Sequence, residues 1–355
     1  MKGTPVFHIR QLQNKCPVIA GILLIALSRH SMGADVVLER FQFEQIRMGI
    51  PVNITLYAPS DSVANKAADA AYARFKEIDR LLSDYDPDSE LMRLCAAPAK
   101  TPFPVSRETA YVLDYSLQLS RKTDGAFDVS VGHLTRLWRV ARRRKRLPEQ
   151  GKLDEALKLT GYQHIHVDLE KQTVCLDLDG MQLDVGAIAK GFAADEALKA
   201  MQQHGVSRVL IDAGGDLVLG DPPPGRESWK VAIEPLRIGK KSESPVFLAL
   251  SNCSVATSGD AYQHVEIEGV RYSHIVNPST GVGLTTPSSV TVIAPTGILA
   301  DALASAVSVL GPEPGLALVG AYRDSETFVV STRDPSGEAQ AETHATNGFA
   351  RFVAP

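Results

Sequence analysis

The stretch from residue 61 to residue 82 constrains the fold more than any other part of this sequence. Its apolar residues recur at steps of three and four, which is the spacing of one helical face. Ser60 or Asp61 can cap the start of that helix. Two alternating stretches precede it, at 36–46 and 50–57, and this alternation predicts a pair of strands. A long helix beside a strand pair requires a core shared by helices and sheet.

The rest of the chain continues with short strands and helices in no repeating order. We predict helices that begin at Ser106 and that span Lys152–Thr160, Ala187–His204, about Leu299–Leu310 and Pro312–Tyr322. We predict strands near 164–169, 173–178, 181–185, 206–211, 229–234, 246–251, 262–267, 270–276, 289–294 and 327–331. Residues 181–211 have a strand–helix–strand pattern, whereas Ser83–Leu94 is turn-rich. This order of elements predicts an α+β fold with mixed sheets. The length of 355 residues suits one large domain or two closely packed ones.

Charge and composition exclude several classes of function. The net charge of -4 and the sequence pI of ≈ 6.2 give no basis for nucleic-acid binding, and only 6% of the residues are aromatic. The four cysteines, Cys16, Cys95, Cys175 and Cys253, show no metal-ligand spacing. We expect the last three to be isolated, mostly buried thiols.

The N-terminal segment differs from the rest of the chain. Basic residues precede an apolar run from Pro17 to Leu27, and small residues follow up to Ala34. This order is typical of an export signal. The run is short for a membrane-spanning helix, which needs about 20 residues, although an uncleaved anchor stays open. We expect residues 1–34 to be an export signal or N-terminal anchor of a periplasmic protein, and residues 35–355 to be the functional domain.

Two glycine-containing polar clusters follow predicted strands. Asp184–Gly191 lies where a strand meets a helix, and there glycine lets the backbone approach a ligand while the helix N-terminus offers N–H groups to phosphate. Lys190 adds a positive charge to that cluster. A tight turn with a surface lysine explains the same residues equally well. The second cluster, Asp212–Asp216, fits either a close approach to a ligand or a plain hairpin loop.

Two further clusters contain groups with acid–base or metal chemistry. Ala256–Asp260 is followed by Arg271–Pro278, in which His274 is either a base that activates a hydroxyl or a buried core histidine. Asp301 and Ser305 are four positions apart and share one helical face among small apolar residues. A buried acid needs a partner or a metal, and oxygen ligands suit a hard cation such as Mg²⁺. An Asp that stabilises the start of its own helix is the alternative.

The run Arg142–Arg146 is strongly basic. Such runs are usually solvated, and we expect an exposed loop. A patch for anionic lipid or an acidic partner is the alternative.

Eight short strings, taken in order, resemble the FAD:protein FMN transferase family, also called ApbE. They cover the chain from about Met48 to its C-terminal strand. The strings are IDRLLSDYDPDSEL (78–91), GAFDVSVG (125–132), LDVGAIAKGFAAD (183–195), IDAGGD (211–216), ATSGD (256–260), RYSHIVNPSTG (271–281), SVTVIAPT (289–296) and ADALASA (300–306). One such string is weak evidence, whereas eight in order are very improbable by chance.

The resemblance implies a T-fold-like α+β architecture of the ApbE type, with an FAD cleft between two closely packed subdomains. It implies an enzyme that binds FAD and Mg²⁺, cleaves the pyrophosphate, and joins FMN through a phosphoester to a Thr of an acceptor protein while AMP leaves. The acceptor implied is an electron-transfer protein. A FAD pyrophosphatase and a non-catalytic FAD carrier stay open as alternatives.

By position, the resemblance also implies the site residues. Contacts to FAD are implied for Met48, Tyr85, Ala126, Phe127, Asp128, Asp184, Lys190 and Ile275. Mg²⁺ ligands are implied at Ala187, Asp301 and Ser305, and His274 is implied as the base.

Four positions depart from residues that are frequent in the family. Ile50 stands where Thr often follows Met-Gly, and Asn277 replaces a common Asp. Ala304 stands where some members have an acid, and Ser305 replaces Thr. These differences leave the class of enzyme intact and bear on metal affinity and on the FAD contacts.

Overall fold

The computed structural model describes residues 37–233, 246–259, 264–332 and 341–354. This part of the chain consists of antiparallel sheets with helices packed against them. The helices are α1 (Asp61–Leu82), α2 (Glu90–Cys95), α3 (Arg107–Lys122), α4 (Gly132–Arg144), α5 (Gln150–Lys158), α6 (Ala189–Gln203), α7 (Gly297–Leu310) and α8 (Pro312–Gly320). Short 3₁₀ turns lie at Tyr162–His164 and Phe349–Phe352. The strands are β1 (Glu39–Arg47), β2 (Ile50–Ala58), β3 (Phe103–Pro104), β4 (Ile165–Asp168), β5 (Thr173–Leu176), β6 (Val209–Ala213), β7 (Asp216–Leu219), β8 (Trp229–Ile233), β9 (Val246–Leu250), β10 (Cys253–Gly259), β11 (His264–Ile267), β12 (Val270–Ser273), β13 (Ser288–Ala294), β14 (Glu326–Ser331) and β15 (Glu342–Ala345).

The largest sheet has the strand order β1-β2-β6-β7-β10-β13-β14-β15, and its neighbouring strands pair antiparallel. Smaller sheets join β3-β5-β4, β8-β9 and β11-β12, also antiparallel. The prediction of an α+β fold is therefore confirmed. All these strand pairs are antiparallel, so none of them needs the crossover connection that joins two parallel strands.

The β1–β2 hairpin turns through two residues, Met48 and Gly49. Their φ angles are 51° and 72°, so both have the left-handed backbone of a tight hairpin turn that matches the twist of its strands. Glycine adopts this conformation without steric cost, and Met48 adopts it at some cost. The turn places Met48 at the tip of the hairpin.

The first helix forms as its sequence predicts. Ser60 caps α1 by accepting the N–H of Val63 at 3.4 Å. The buried face of α1 is built largely from alanines, with Phe75 and Ile78 toward its end. Small residues on that face let α6 pack closely against α1.

The main hydrophobic core lies where α1, α6 and α7 cover the large sheet, and α3 joins this core beside α1 and β4. A second cluster lies around Trp229 of β8. A third cluster lies around Trp138 of α4, whose indole N–H donates to the carbonyl of Gly281 at 2.8 Å. The ring of Tyr272 packs on Trp138 with 5.1 Å between the centroids. This third cluster connects α4 and α5 to the segment that follows β12.

Three predictions of local structure were wrong. Residues 83–94 are not all turn, because Ser89 caps α2 by accepting the N–H of Met92 at 3.0 Å. Residues 181–185 are not a strand, so the strand–helix–strand pattern is absent. Their apolar side chains are buried, as the alternation indicates. However, the N–H of Asp184 donates to the carbonyl of Val129, and the N–H of Leu183 donates to the Cys95 sulfur, so neither bonds to a neighbouring strand.

The Arg142–Arg146 prediction was also wrong in part. Residues 142–144 form the last turn of α4, where cations interact favourably with the helix dipole. Only Lys145, with φ of 50°, and the residues after it leave the helix. Strands β7 and β10 were not recognised from the sequence, because each overlaps a polar cluster: β7 overlaps Asp212–Asp216, and β10 overlaps Ala256–Asp260.

The prediction of isolated thiols agrees with the structure, in which Cys95, Cys175 and Cys253 are free. The prediction that they are mostly buried was wrong, because only Cys95 is buried and the other two are half-buried. The predicted signal or anchor at residues 1–34 lies outside the described residues. Within the described ranges, no helix is both long enough and apolar enough to cross a membrane.

Candidate active site

A cavity of about 230 Å³ lies between the main core and the cluster around Trp138. Six segments of the chain form its walls: the loop between α1 and α2, the loop after α3, one face of α4, the segment before α6, the segment after β12, and α7. Its lining residues are Tyr85, Ala126, Phe127, Asp128, Val129, Val131, Thr135, Arg139, Arg142, Asp184, Gly186, Ala187, His274, Ile275, Val276, Pro278, Ser305 and Val309. The cavity therefore gathers residues that lie far apart in sequence.

Nine of the twelve residues that the resemblance singles out line this cavity. They are Tyr85, Ala126, Phe127, Asp128, Asp184, Ala187, His274, Ile275 and Ser305. The other three, Met48, Lys190 and Asp301, do not line it.

The loop after α3 is held in place by Asp128. Its buried carboxylate accepts the N–H and the hydroxyl of Ser130 at 2.8 and 2.6 Å, and the N–H of Tyr162 at 2.8 Å. Burial raises the pKa of Asp128, and these three donors oppose that rise. Because its oxygens are already engaged, Asp128 fixes the loop that presents Ala126 and Phe127 to the cavity.

The opposite wall contains an ion pair between Arg139 of α4 and Asp184. The guanidinium donates to Asp184 at 2.8 Å and also contacts Asp84. Asp184 further accepts the hydroxyl of Thr135 at 2.7 Å and the N–H of Gly186 at 2.8 Å. Burial, followed by the negative charge of Asp184, raises the pKa of Asp84. One arginine thus bridges two carboxylates at the edge of the cavity.

Tyr85 stands at the mouth of the cavity and is 76% exposed. The guanidinium carbon of Arg139 lies 4.2 Å from the centre of its ring, which is a cation–π arrangement. An exposed aromatic ring held over a cavity offers a stacking surface for a planar ligand.

A second charged cluster lies beside the cavity, at the start of α6. The ammonium nitrogen of Lys190 lies 3.2 Å from both carboxylate oxygens of Asp301 and also contacts Asp216. Asp301 accepts the N–H of Gly191 at 3.1 Å as well. Burial would lower the pKa of Lys190, but the two carboxylates raise it. Burial raises the pKa of Asp216, and Lys190 opposes that rise.

A close approach of two helices sets this geometry. A Cβ on Gly191 would overlap the carbonyl of Gly297 and lie 2.9 Å from the Cβ of Asp301. Glycine at both positions therefore lets the starts of α6 and α7 touch through their backbones. The contact brings Asp301 against Lys190.

His274 and Ile275 follow the end of β12 rather than lying within a strand. The N–H of Ile275 donates to the hydroxyl of Ser273 at 3.1 Å, and its carbonyl accepts the N–H of Leu284 at 2.9 Å. Both bonds fix the segment that presents the half-buried imidazole of His274 to the cavity. The alternative of a histidine enclosed in the core does not fit this placement.

Met48 lies away from the cavity, at the tip of the β1–β2 hairpin. It packs against the main core. The neighbouring Ile50 side chain lies against Gly214 of the β6–β7 turn. The hairpin tip thus adjoins the turn that precedes Asp216.

The residues implied for Mg²⁺ are an all-oxygen set suited to a hard cation. Ala187 and Ser305 line the cavity, and the Ser305 hydroxyl has no hydrogen-bond partner among the described residues. Asp301 lies one helical turn before Ser305 and is buried. Because Asp301 also binds Lys190, a cation there would share the carboxylate with that ammonium. In the described ranges, no cluster of three or more His, Cys, Asp or Glu side chains could hold a metal.

Sequence reasoning did not single out Asp216, Arg139, Asp84 or Thr135 as site residues. Asp216 belonged to a recognised polar cluster, so the signal was present but ambiguous. Thr135 and Arg139 are four positions apart on α4, and that spacing marks one helical face. Their carboxylate partners come from distant segments, which spacing does not reveal.

A family model described as the ApbE family matches residues 48–329. This chain belongs to the ApbE family. The recognition made from eight sequence strings is therefore confirmed, and the matched range includes every implied site residue.

Individual relatives agree with the ApbE family match. This chain is 35% identical over 267 residues to the FAD:protein FMN transferase of Escherichia coli (strain K12), covering 70% of this chain and 75% of that protein. It is 29% identical over 346 residues to the FAD:protein FMN transferase of Vibrio cholerae, covering 96% of this chain and 99% of that protein.

Solved ApbE structures have the same fold. The flavin transferase ApbE from Vibrio cholerae gives a TM-score of 0.79 at 28% identity, covering 89% of this chain and 100% of that one. The apo flavinyl transferase ApbE of Pseudomonas stutzeri gives a TM-score of 0.76 at 29% identity, covering 91% of this chain and 99% of that one.

Proposed function

We propose that this chain is an FAD:protein FMN transferase that uses Mg²⁺ and modifies a threonine of an acceptor protein. Family membership and the names of its relatives support the transferase activity. The observation that carries the proposal is the single cavity that brings together nine of the twelve implied residues. We further propose an exported electron-transfer protein as the acceptor, on the strength of the N-terminal sequence.

In this proposal His274 is the general base. It takes the proton from the threonine hydroxyl, and the threonine oxygen then forms a bond to the phosphorus of the FMN half of FAD. The P–O bond to the AMP half breaks, and AMP leaves with the bridging oxygen. An imidazole titrates near neutral pH, so it can accept this proton under ordinary conditions.

The charged residues beside the cavity suit the pyrophosphate of FAD, whose cleavage releases AMP. We assign Mg²⁺ to Ala187, Asp301 and Ser305, where it would neutralise charge on the phosphates. Lys190 provides a fixed positive charge next to Asp301. Asp216 holds Lys190 from the other side, so the ammonium is positioned before substrate arrives.

The test is release of AMP from FAD by the protein without residues 1–34, in Mg²⁺, with and without a threonine-containing acceptor peptide. We expect AMP together with flavin bound covalently to the peptide. AMP with only free FMN would identify a FAD pyrophosphatase. Bound FAD with no AMP under either condition would identify a non-catalytic carrier and contradict the proposal.

His274→Ala tests the base separately. We expect transfer to fall by about 10²–10⁴-fold, as for loss of a general base, while FAD binding is largely retained. The matched control is His204→Ala, because His204 is exposed at the end of α6 and far from the cavity lining. Equal transfer by the two variants would rule out His274 as the base.

A further inference from the structure

One face of α4 presents three polar side chains to the cavity. Thr135, Arg139 and Arg142 are spaced by four and three positions, so they form a stripe along the helix. A neighbouring stripe of the same helix, Leu134, Trp138 and Ala141, packs into the third hydrophobic cluster. This packing fixes the rotation of the helix and therefore fixes which arginines face the cavity.

The charged groups that line the cavity are paired within the protein, with one exception. Asp128 accepts three hydrogen bonds, and Arg139 is paired with Asp184. His274 also has a partner. Arg142 forms no hydrogen bond or ion pair with any residue in the described ranges, and its Nε is buried without a partner.

The buried Nε–H of Arg142, which has no acceptor, is costly in the free protein. Burial lowers the pKa of Arg142, and the positive charge of Arg139 adds to that effect. A guanidinium nevertheless stays protonated, so it cannot relieve this cost by losing its proton. A ligand that brings an oxygen acceptor to Arg142 would regain the missing hydrogen bond.

The surroundings of Arg142 indicate what kind of ligand this is. Tyr85 adjoins both arginines, since its phenol acts electrostatically on Arg142 and its ring stacks on Arg139. Apolar side chains such as Phe127 and Val131 complete the walls. A planar aromatic group that carries oxygen acceptors matches this combination of stacking surface and free cation.

We propose that Arg142 is a FAD-binding residue, whose guanidinium donates to an oxygen of the FAD held in this cavity. The proposal rests on the proposed function for the identity of the ligand. FAD offers such oxygens in its riboflavin half, on the ring carbonyls and the ribityl hydroxyls, and in the rest of the molecule, chiefly on its phosphates. Arg142 thus adds substrate affinity and orientation at a position that neither the recognised strings nor the implied site residues include.

The test compares Arg142→Gln with Arg143→Gln by fluorescence titration of FAD and of riboflavin, which has the ring carbonyls but no phosphate. Both substitutions remove one positive charge from the same turn of α4, but Arg143 is exposed and does not line the cavity. We expect Arg142→Gln to weaken FAD binding about tenfold relative to Arg143→Gln. Arg142→Lys keeps the charge without the fork of donors and should weaken binding less.

Riboflavin separates the two sources of oxygen. Equal weakening for FAD and riboflavin assigns the contact to the riboflavin half, to a ring carbonyl or a ribityl hydroxyl. Weakening for FAD alone, with a loss that shrinks as salt is raised, assigns it to a phosphate. FAD affinity of Arg142→Gln within twofold of Arg143→Gln overturns the proposal, provided that both variants unfold at the wild-type temperature. If Arg142→Gln unfolds early, Arg142→Met is compared with Arg143→Met under the same criterion, because both of these substitutions also remove one positive charge.

The outcome is distinct from that of the proposed function. If Arg142→Gln weakens FAD binding as expected but the wild type releases no AMP, only the transferase activity is contradicted. If the wild type transfers FMN but Arg142→Gln and Arg143→Gln bind FAD equally well, only the role of Arg142 is contradicted. A wild type that binds neither flavin overturns both.

Discussion

Asp195 belongs to α6 but caps a different helix. Its carboxylate accepts the N–H of Gly297 at 2.7 Å and that of Ile298 at 2.9 Å, at the first turn of α7. Thr296, which precedes α7, makes no side-chain capping bond. Because α7 also carries Asp301, Asp195→Ala should reduce both the stability of the fold and the order of the candidate site.

The expected loss follows from the two donors that lose their acceptor. Gly297 and Ile298 are buried, and a buried donor without a partner costs about 1–3 kcal/mol. Loss of a helix N-cap costs about 1 kcal/mol by itself. We therefore expect Asp195→Ala to lower the free energy of unfolding by about 3 kcal/mol, which corresponds to a fall of about 4–5 °C in Tm for a domain of this size.

The loss should also depend on pH. Burial raises the pKa of Asp195 from 3.8 to about 6 in the folded protein. Because the pKa in the folded state is above that in the unfolded state, protonation of Asp195 stabilises the fold. This stabilisation is fully present below about pH 4 and is lost as the pH rises through about 6. At 1.36 kcal/mol per pH unit, this difference amounts to at most about 3 kcal/mol. Asp195→Ala should therefore lose more stability at pH 5 than at pH 8.

The assay is thermal unfolding at pH 5 and pH 8 of the wild type and three variants. Asp195→Asn keeps one oxygen acceptor without a charge, so it should lose less than Asp195→Ala and remove the pH dependence that this residue adds. Asp69→Ala is the matched control, because Asp69 is exposed on α1 and pairs with no described residue. A Tm for Asp195→Ala within 1 °C of that control, or a larger loss at pH 8, would refute the reasoning.

Three further predictions concern packing and burial. Gly191→Ala should lower the free energy of unfolding, measured in urea, by about 1–3 kcal/mol, because the new Cβ meets the backbone of α7. Gly151→Ala should raise the free energy of unfolding by about 0.5–1 kcal/mol, because Gly151 is helical and a Cβ there has nothing within 4 Å. A loss of stability in Gly151→Ala alone would contradict this prediction. Trp138→Phe should cost about 1 kcal/mol in the same assay, since it removes the bond to the carbonyl of Gly281, and an unchanged urea midpoint would count against that bond. Cys95, whose pKa burial raises to about 11, should resist a thiol reagent at pH 8 until urea unfolds the protein, and rapid reaction in the native state would contradict its burial.

Local patterns predicted most of the elements. The spacing of apolar residues gave α1 its bounds, and the Ser60 cap matches the observed one. Glycines after apolar stretches marked where α7 ends, since Gly311 follows its last residue. These features depend on residues within a few positions of one another, so sequence alone carries them.

Alternation failed where burial did not come from a sheet. Residues 181–185 alternate like a strand, yet their backbone bonds to a loop and to a cysteine. The alternation reports which side chains are buried, and an extended segment pressed against the core meets that requirement without strand partners. The strand β7 was not recognised for the opposite reason, because its first residue is the charged Asp216.

The sequence by itself determined the family, the class of fold and half of the residues that line the cavity. Tertiary structure alone decided which charges meet: Lys190 reaches Asp216 across 26 positions and Asp301 across 111. It also decided that Arg139 is paired while Arg142, three residues later on the same helix, is left unpaired beside the cavity. Such pairings depend on the approach of distant backbones, as at Gly191 and Gly297, and local spacing contains no information about that approach.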